Sequence, residues 1–158
     1  MELREALSKD LLTMTSWFDS EQALHQWAGP NFRFPYSDAS FLEDLNLDQL
    51  TSYGLYNEDN TLLGFGQCYE RLGRNHLARL VINPAYRGQG LSLELIPRLI
   101  EEANKQFPRL ETSLFVLKQN AVAISCYKKL GFEFFEYPED NPLPGCFYMV
   151  RSNKPVTV

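Results

Sequence analysis

The chain is poor in cysteine. Its 158 residues contain Cys68, Cys126 and Cys146 only, an odd number, far apart and without the spacing of a zinc or redox motif. A disulfide scaffold is excluded, no metal site is expected, and reduced thiols fit a cytoplasmic protein. No stretch approaches the roughly 18 consecutive apolar residues of a membrane span, so no membrane partner is expected. Basic excess is also missing. Fifteen Lys and Arg face 20 Asp and Glu for a net charge of −5, which leaves nothing to neutralise a phosphate backbone, so nucleic acid is not an expected partner. The opening Met1-Glu2-Leu3-Arg4-Glu5 is charged and lacks the apolar core of a secretory signal. There is no Pro/Ser/Gly-rich linker, repeat or low-complexity tract. These absences lead to the expectation of one cytoplasmic domain over residues 1–151 with a short tail at 152–158. Core material is ample, at 44% hydrophobic and 13% aromatic residues.

The pattern along the chain predicts a mixed fold. A strand is expected over Glu2 to Leu7, then helices from Ser8 to Phe18 and from Ser20 to Trp27, with a short one after Ser40. Thr51 to Tyr56 and Thr61 to Glu70 read as strands around the polar loop Asn57-Glu58-Asp59-Asn60, and His76 to Ile82 as another after a turn at Leu72-Gly73. Helix and strand then alternate: a helix from Gln89 to Lys105, which Pro97 should kink or shift, a strand from Leu110 to Leu117, and a helix from Asn120 to Leu130 closed by Gly131. Phe132 to Tyr137 and Cys146 to Arg151 supply the last strands. Hairpins followed by β-α-β-α-β imply an α/β fold whose mixed, mostly antiparallel sheet has about seven strands with helices on both faces.

Two stretches carry chemistry. The first is Ile82-Asn83-Pro84-Ala85-Tyr86-Arg87-Gly88-Gln89-Gly90-Leu91-Ser92, an apolar strand end, a turn, an Arg and Gly loop and a helix start. Free amides and a helix N-terminus around one small space attract phosphate, and Arg87 adds fixed charge. The loop is neither a dinucleotide fingerprint nor a Walker loop. An ordinary strand-to-helix turn would use the same glycines.

The second is Asn120-Ala121-Val122-Ala123-Ile124-Ser125-Cys126-Tyr127, followed by Lys128-Lys129-Leu130-Gly131-Phe132. Asn120 and Tyr127 stand about two helical turns apart on one face, where a tyrosine can pack its ring and present a hydroxyl. Asn120 as a helix cap and Tyr127 as half-buried core is the plainer alternative.

Taken together, the two stretches resemble the GNAT superfamily of acetyl-CoA-dependent N-acetyltransferases. Arg87-Gly88-Gln89-Gly90-Leu91-Ser92 follows its [QR]-x-x-G-x-[GA] cofactor loop. Asn120, Ala123, Tyr127, Gly131 and Phe132 follow its N-x-x-A-x-x-x-Y helix and G-F pair. The likeness is good from Thr51 to Arg151 and only general before that.

It implies a GNAT fold with acetyl-CoA as cofactor, and direct attack of a bound primary amine on the thioester. The backbone of Leu80, Val81 and Ile82 would line the pantetheine arm, amides of Gly88, Gln89, Gly90, Leu91 and Ser92 with Arg87 would hold the pyrophosphate, and Asn120 the pantetheine end. Tyr127 would protonate the leaving thiolate. Ser92 replaces a small Gly or Ala, and Pro97 is unexpected in the cofactor-side helix. Phe115 stands where members that acetylate ribosomal-protein N-termini place a glutamate. The base then falls to His76, with Glu70 and water relayed by backbone as alternatives.

The aromatic stretch around Trp27, Phe32 and Phe34 falls where the family walls its acceptor, although these rings could equally pack the helices on the sheet. The acceptor is a small-molecule amine or a peptide or protein amine, and a homodimer stays open. The competing function is a catalytically weak acyl-CoA-binding sensor or interaction domain on the same fold.

Overall fold

The computed structural model describes residues 1–108 and 110–152. Of the expected tail only Ser152 is therefore described, and 153–158 lie outside the described residues. In chain order the elements are β1 (Glu2–Glu5), α1 (Ser8–Leu11), α2 (Glu21–Ala28), α3 (Asp38–Leu45), β2 (Thr51–Tyr56), β3 (Leu62–Arg71) and β4 (Arg74–Ile82), followed by α4 (Ser92–Gln106), β5 (Thr112–Leu117), α5 (Ala121–Lys129), β6 (Phe132–Phe134) and β7 (Cys146–Arg151). Short 3₁₀ turns occupy Leu12–Trp17 and Pro84–Tyr86. The seven strands form one sheet in the order β1-β2-β3-β4-β5-β7-β6. β4 and β5 are parallel, joined through α4 as such a pair requires. β1–β2, β5–β7 and β6–β7 are antiparallel.

Local chemistry sets most boundaries. Ser20 caps α2 by accepting from Ala23 N at 3.1 Å. α3 starts earlier than its apolar run suggests, because Ser37 and Ser40 form a reciprocal capping box that fixes the first turn at Asp38. Asn57 Oδ1 accepts from the amides of Asp59 and Thr61 and shapes the β2–β3 loop. Leu72 and Gly73 turn the next hairpin with φ of 49° and 77°, the left-handed pair a tight hairpin demands. Pro97 lies inside α4 without ending it. Its missing N–H deprives the carbonyl of Leu93, and Leu93 is exposed, so water can serve that group. The expected helix from Ser8 to Phe18 tightens into 3₁₀ geometry after Leu11, and the strand after Gly131 is only three residues long.

By its contacts the chain divides into two compact units, Met1–Gln67 with Arg79–Leu95 and Cys68–Ala78 with the chain from Ile96 onward. β3, β4 and α4 each run from one unit into the other. The core of the first unit collects Leu11, Met14, Leu24, Phe32, Phe41, Leu45 and Phe65. Trp27 joins them, stacked on Phe18 at 4.5 Å between ring centroids. Each such side chain contributes about 1.5–3 kcal/mol on burial. The second unit buries Leu77, Leu99, Leu114, Phe132 and Met149. All three cysteines are free thiols.

Gly54 in β2 tests the packing of the first unit. A Cβ there would stand 2.7 Å from Leu62 Cδ1 and 2.8 Å from Tyr56 Cε2, and both side chains are buried. Gly54→Ala is expected to cost about 1–3 kcal/mol of stability by overpacking, read from the shift of a urea unfolding midpoint at constant slope.

Candidate active site

The Arg and Gly loop has the geometry of an anion cradle. Asn83 closes β4 by donating through Nδ2 to Leu62 O at 3.0 Å, and its Oδ1 accepts from Ala85 N at 3.0 Å to start the 3₁₀ turn. Gly88 and Gly90 follow with φ of 81° and 73°. Both lie in the left-handed region where a side chain is strained. Nothing stands within 4 Å of where either Cβ would be. The first inward amide bonds at the start of α4 come from Leu93 to Gly90 O and from Glu94 and Leu95 to Leu91 O. Among the described residues, the amides of Gly88, Gln89, Gly90 and Leu91 have no protein acceptor. Exposed donors at a helix start are what a pyrophosphate needs. On that ground the residues fit acetyl-CoA. Arg87 and Ser92 flank the cradle, Arg87 exposed to solvent and Ser92 partly buried.

Upstream of the loop, β4 carries a feature with no sequence signal. Arg79 has a φ of 51° in mid-strand. Its guanidinium donates to Asp44 O at 3.0 Å, Leu45 O at 3.3 Å and Gln67 Oε1 at 3.2 Å, and its carbonyl accepts from Trp27 Nε1 at 2.8 Å. Trp27 is therefore a structural clamp on β4. Phe32 is only 3% exposed and lies within the aromatic core, so no face of it is left for a ligand. Both rings that the sequence places at a substrate wall pack against the core of the first unit, Phe32 buried and Trp27 partly buried. Only Phe34, 41% exposed, keeps an open face beside Tyr36. Leu80, Val81 and Ile82 are half-buried in the last part of β4, beyond its pairing with β5 at Asn75–Leu77.

In the second unit Asn120 caps α5, with Oδ1 accepting from Ala123 N at 3.2 Å. The capping role is real, and the residue is exposed. Tyr127 packs its ring 6.0 Å from Phe132. It is 9% exposed, and its hydroxyl has no protein partner among the described residues. Burial, with a smaller contribution from Cys126, raises the phenol well above its ordinary pKa and keeps it a proton donor.

His76 corrects the sequence reading. It faces neither solvent nor an open cleft. It is 2% exposed, its Nδ1 lies 2.9 Å from Ser113 Oγ, and Tyr69 and Phe115 flank the ring edge-on at 5.5 and 5.2 Å. Burial, helped by the positive charge of Arg71, pushes its pKa down to about 3. Such an imidazole is neutral but a poor base, too weak to hold an ammonium proton at neutral pH. Glu70 is exposed and occupied at the β3–β4 turn, where it accepts from Gly73 N at 2.9 Å.

A family model, the Acetyltransferase (GNAT) family, matches residues 21–132. The chain belongs to the GNAT acetyltransferase family. It is 30% identical over 149 residues to a spermidine N(1)-acetyltransferase of Thermoplasma acidophilum, covering 84% of this chain and 88% of that protein. Among solved structures, a PaiA N-acetyltransferase of the same organism in complex with coenzyme A matches with a TM-score of 0.69 at 25% identity, over 96% of this chain and 98% of that one. A Vibrio cholerae spermidine N-acetyltransferase in complex with CoA and spermine matches with a TM-score of 0.72 at 18% identity, over 94% and 93% of the two chains. The ribosomal-protein-S18-alanine N-acetyltransferase of Escherichia coli gives 0.66 at 19%, over 99% and 97%. At the last two identities the likeness is one of fold. This GNAT chain is an acetyl-CoA-dependent N-acetyltransferase that acts on an amine.

His76 makes a testable contribution to the stability of this GNAT protein. Its folded pKa lies below the unfolded value of about 6.5, so between those values the unfolded chain binds the extra proton. Stability is expected to fall as pH drops from about 6.5 toward 3, with a slope of up to about 1.4 kcal/mol per pH unit from this group. His76→Gln removes that slope even if it lowers stability overall. Unfolding midpoints across pH 4 to 7 that keep the same slope in the variant would sink the assignment.

Proposed function

We propose that residues 1–151 act as one cytoplasmic catalytic domain that acetylates the primary amine of a small molecule by direct attack. One observation carries the cofactor part of this reading: two left-handed glycines, Gly88 and Gly90, open a run of unpaired amides at the start of α4. Those amides with Arg87 and Ser92 would hold the pyrophosphate, the Leu80 to Ile82 backbone the pantetheine arm, and Asn120 its far end. Acetyl-CoA, when bound, supplies an activated acyl thioester. The small-molecule acceptor is supported by the 30% identical relative, whose name gives spermidine as its substrate. No helix among the described residues is long and apolar enough to cross a membrane.

Tyr127 is the proposed general acid. A buried phenol with raised pKa and an unpartnered hydroxyl keeps its proton until a developing thiolate takes it. The amine must be neutral to attack. With His76 held in the interior and Glu70 tied to its turn, its proton goes to solvent, and no protein base sets the pH profile.

An amine and peptide panel with free-thiol detection tests the reading. Tyr127→Phe is expected to lower kcat about ten- to a hundredfold while acetyl-CoA affinity, read by calorimetry, is retained. Wild-type turnover in that variant would remove the acid assignment. The rate should rise with pH along the ionisation of the amine itself, with no inflection near 6.5 and the same profile shape in His76→Gln. Preference for peptide N-termini in the panel would move the acceptor to proteins, and acetyl-CoA binding without turnover on any amine would favour a sensor. Sedimentation reads whether the chain is a homodimer.

A further inference from the structure

The second unit holds a cation that no carboxylate neutralises. Arg71, at the end of β3, is half-buried and donates from Nε to Tyr137 Oη at 3.0 Å and from Nη1 to Tyr69 Oη at 3.1 Å. Its guanidinium lies 5.7 Å from the ring centre of Phe115 and 5.8 Å from that of Tyr137. Among the described residues no acidic side chain pairs with it. The contrast with Arg74 is direct, since Arg74 reaches Glu111 Oε1 at 3.3 Å. The phenols that hold Arg71 accept its hydrogen bonds without cancelling its charge. Nη2 donates to no protein group among the described residues. A planar fork, fixed on one edge and open on the other, fits a carboxylate through two parallel bonds. Aromatic walls lower the local dielectric and strengthen that attraction. A polycation would meet repulsion at the same place.

We propose that Arg71, set by Tyr69 and Tyr137, is a carboxylate anchor, and that the amine this enzyme acetylates carries a carboxylate, as an amino acid does. The proposal rests on the acetyltransferase reading for its use, and on the unpaired guanidinium for its existence. Phe115, whose ring lies beside Arg71, brings no charge to it. An anion beside this cation would close the fork, and phenylalanine leaves it open.

The test compares the twenty common L-amino acids with their carboxamides, which keep the amine and lose the charge. Binding is read by calorimetry and by the Nε–Hε resonance of Arg71. Turnover is read by thiol release. At least one acid should bind roughly tenfold or more tighter than its amide, the span expected of a charge-assisted pair, and should move the Arg71 resonance. In Arg71→Ala that ratio should collapse toward one, and Arg71→Lys should restore only part of it. Tyr69→Phe with Tyr137→Phe, which keeps the charge but frees the fork, should weaken acid binding without abolishing it. Thermal unfolding checks that each variant is folded. Equal binding of every acid and its amide, or a preference that survives Arg71→Ala, overturns the anchor. If acids bind at Arg71 and no amine is acetylated, the anchor stands and the acetyltransferase use of it fails. Acetylation of carboxylate-free amines, indifferent to Arg71, overturns the anchor and leaves the acetyltransferase reading in place.

Discussion

The left-handed turn of β4 at Arg79 is the constraint on which the first unit depends. A non-glycine residue at φ 51° costs about 1–2 kcal/mol, and nothing in a strand makes up for it locally. The compensation comes from distant parts of the chain. Trp27 on α2 holds the carbonyl, and the carbonyls of Asp44 and Leu45 at the end of α3 hold the guanidinium. Gln67 adds Oε1 to that guanidinium while its own Nε2 donates to Leu45 O at 2.7 Å. One side chain thus satisfies the end of a helix that Asn46 closes in the left-handed conformation. Replacing any member would strand buried polar atoms of the others. The aromatic core around Trp27 is therefore support for a backbone shape. That shape delivers β4 into the turn at Asn83 and the loop beyond it.

The second unit meets polar burial differently. His76 and Ser113 satisfy each other, and Asn75 donates to Phe107 O at 3.1 Å. Among the described residues, Thr112 Oγ1 and Asn104 Oδ1 have no partner. Phenols and rings hold much of the positive charge here: Arg71 rests on Tyr69 and Tyr137, and Arg74 on Tyr148 and the face of Phe135 in addition to its ion pair with Glu111. Eight tyrosines in a chain with a net charge of −5 look like ordinary core material by composition. In this unit several of them are hydrogen-bond acceptors for arginine.

Much of this was legible in residue order. The loop glycines announced themselves because only glycine takes a positive φ at little cost, and Asn120 because a polar residue before an apolar helical run caps it. The seven strands followed from alternation and turn residues, and the GNAT membership from two motifs in register. Hidden were the features that depend on residues far apart in the chain. Arg79 adopts a glycine-like φ without being glycine, and its compensation lies more than 30 residues away in Asp44, Leu45 and Trp27. Trp27 and Phe32 look alike as wall or as core, and only three-dimensional packing decides. His76 has the intrinsic pKa of a base, but burial overrides it, and burial is not a local property.

With His76 buried and phenylalanine at position 115, neither place offers the amine a base. At neutral pH a typical amine near pKa 10 is about 0.1% free base, a penalty of about 4 kcal/mol. A base removes this penalty by taking the proton. A positive field lessens it by making the ammonium form less stable. The field of Arg71 already does this to His76, where it adds to burial in lowering the pKa. An ammonium brought near the same guanidinium by its own carboxylate feels the same sign of field. The carboxylate neutralises part of it, so the net effect depends on which group sits closer to Arg71. A short acid anchored through two parallel bonds keeps its amine about two bonds from the charged pair, and the two fields nearly cancel. On a longer acid the amine lies outside that pair and gains little from it. Anchoring at Arg71 therefore supplies position and selectivity more than deprotonation. The remaining barrier is left to the free-base fraction in solvent and to the acid proposed at Tyr127.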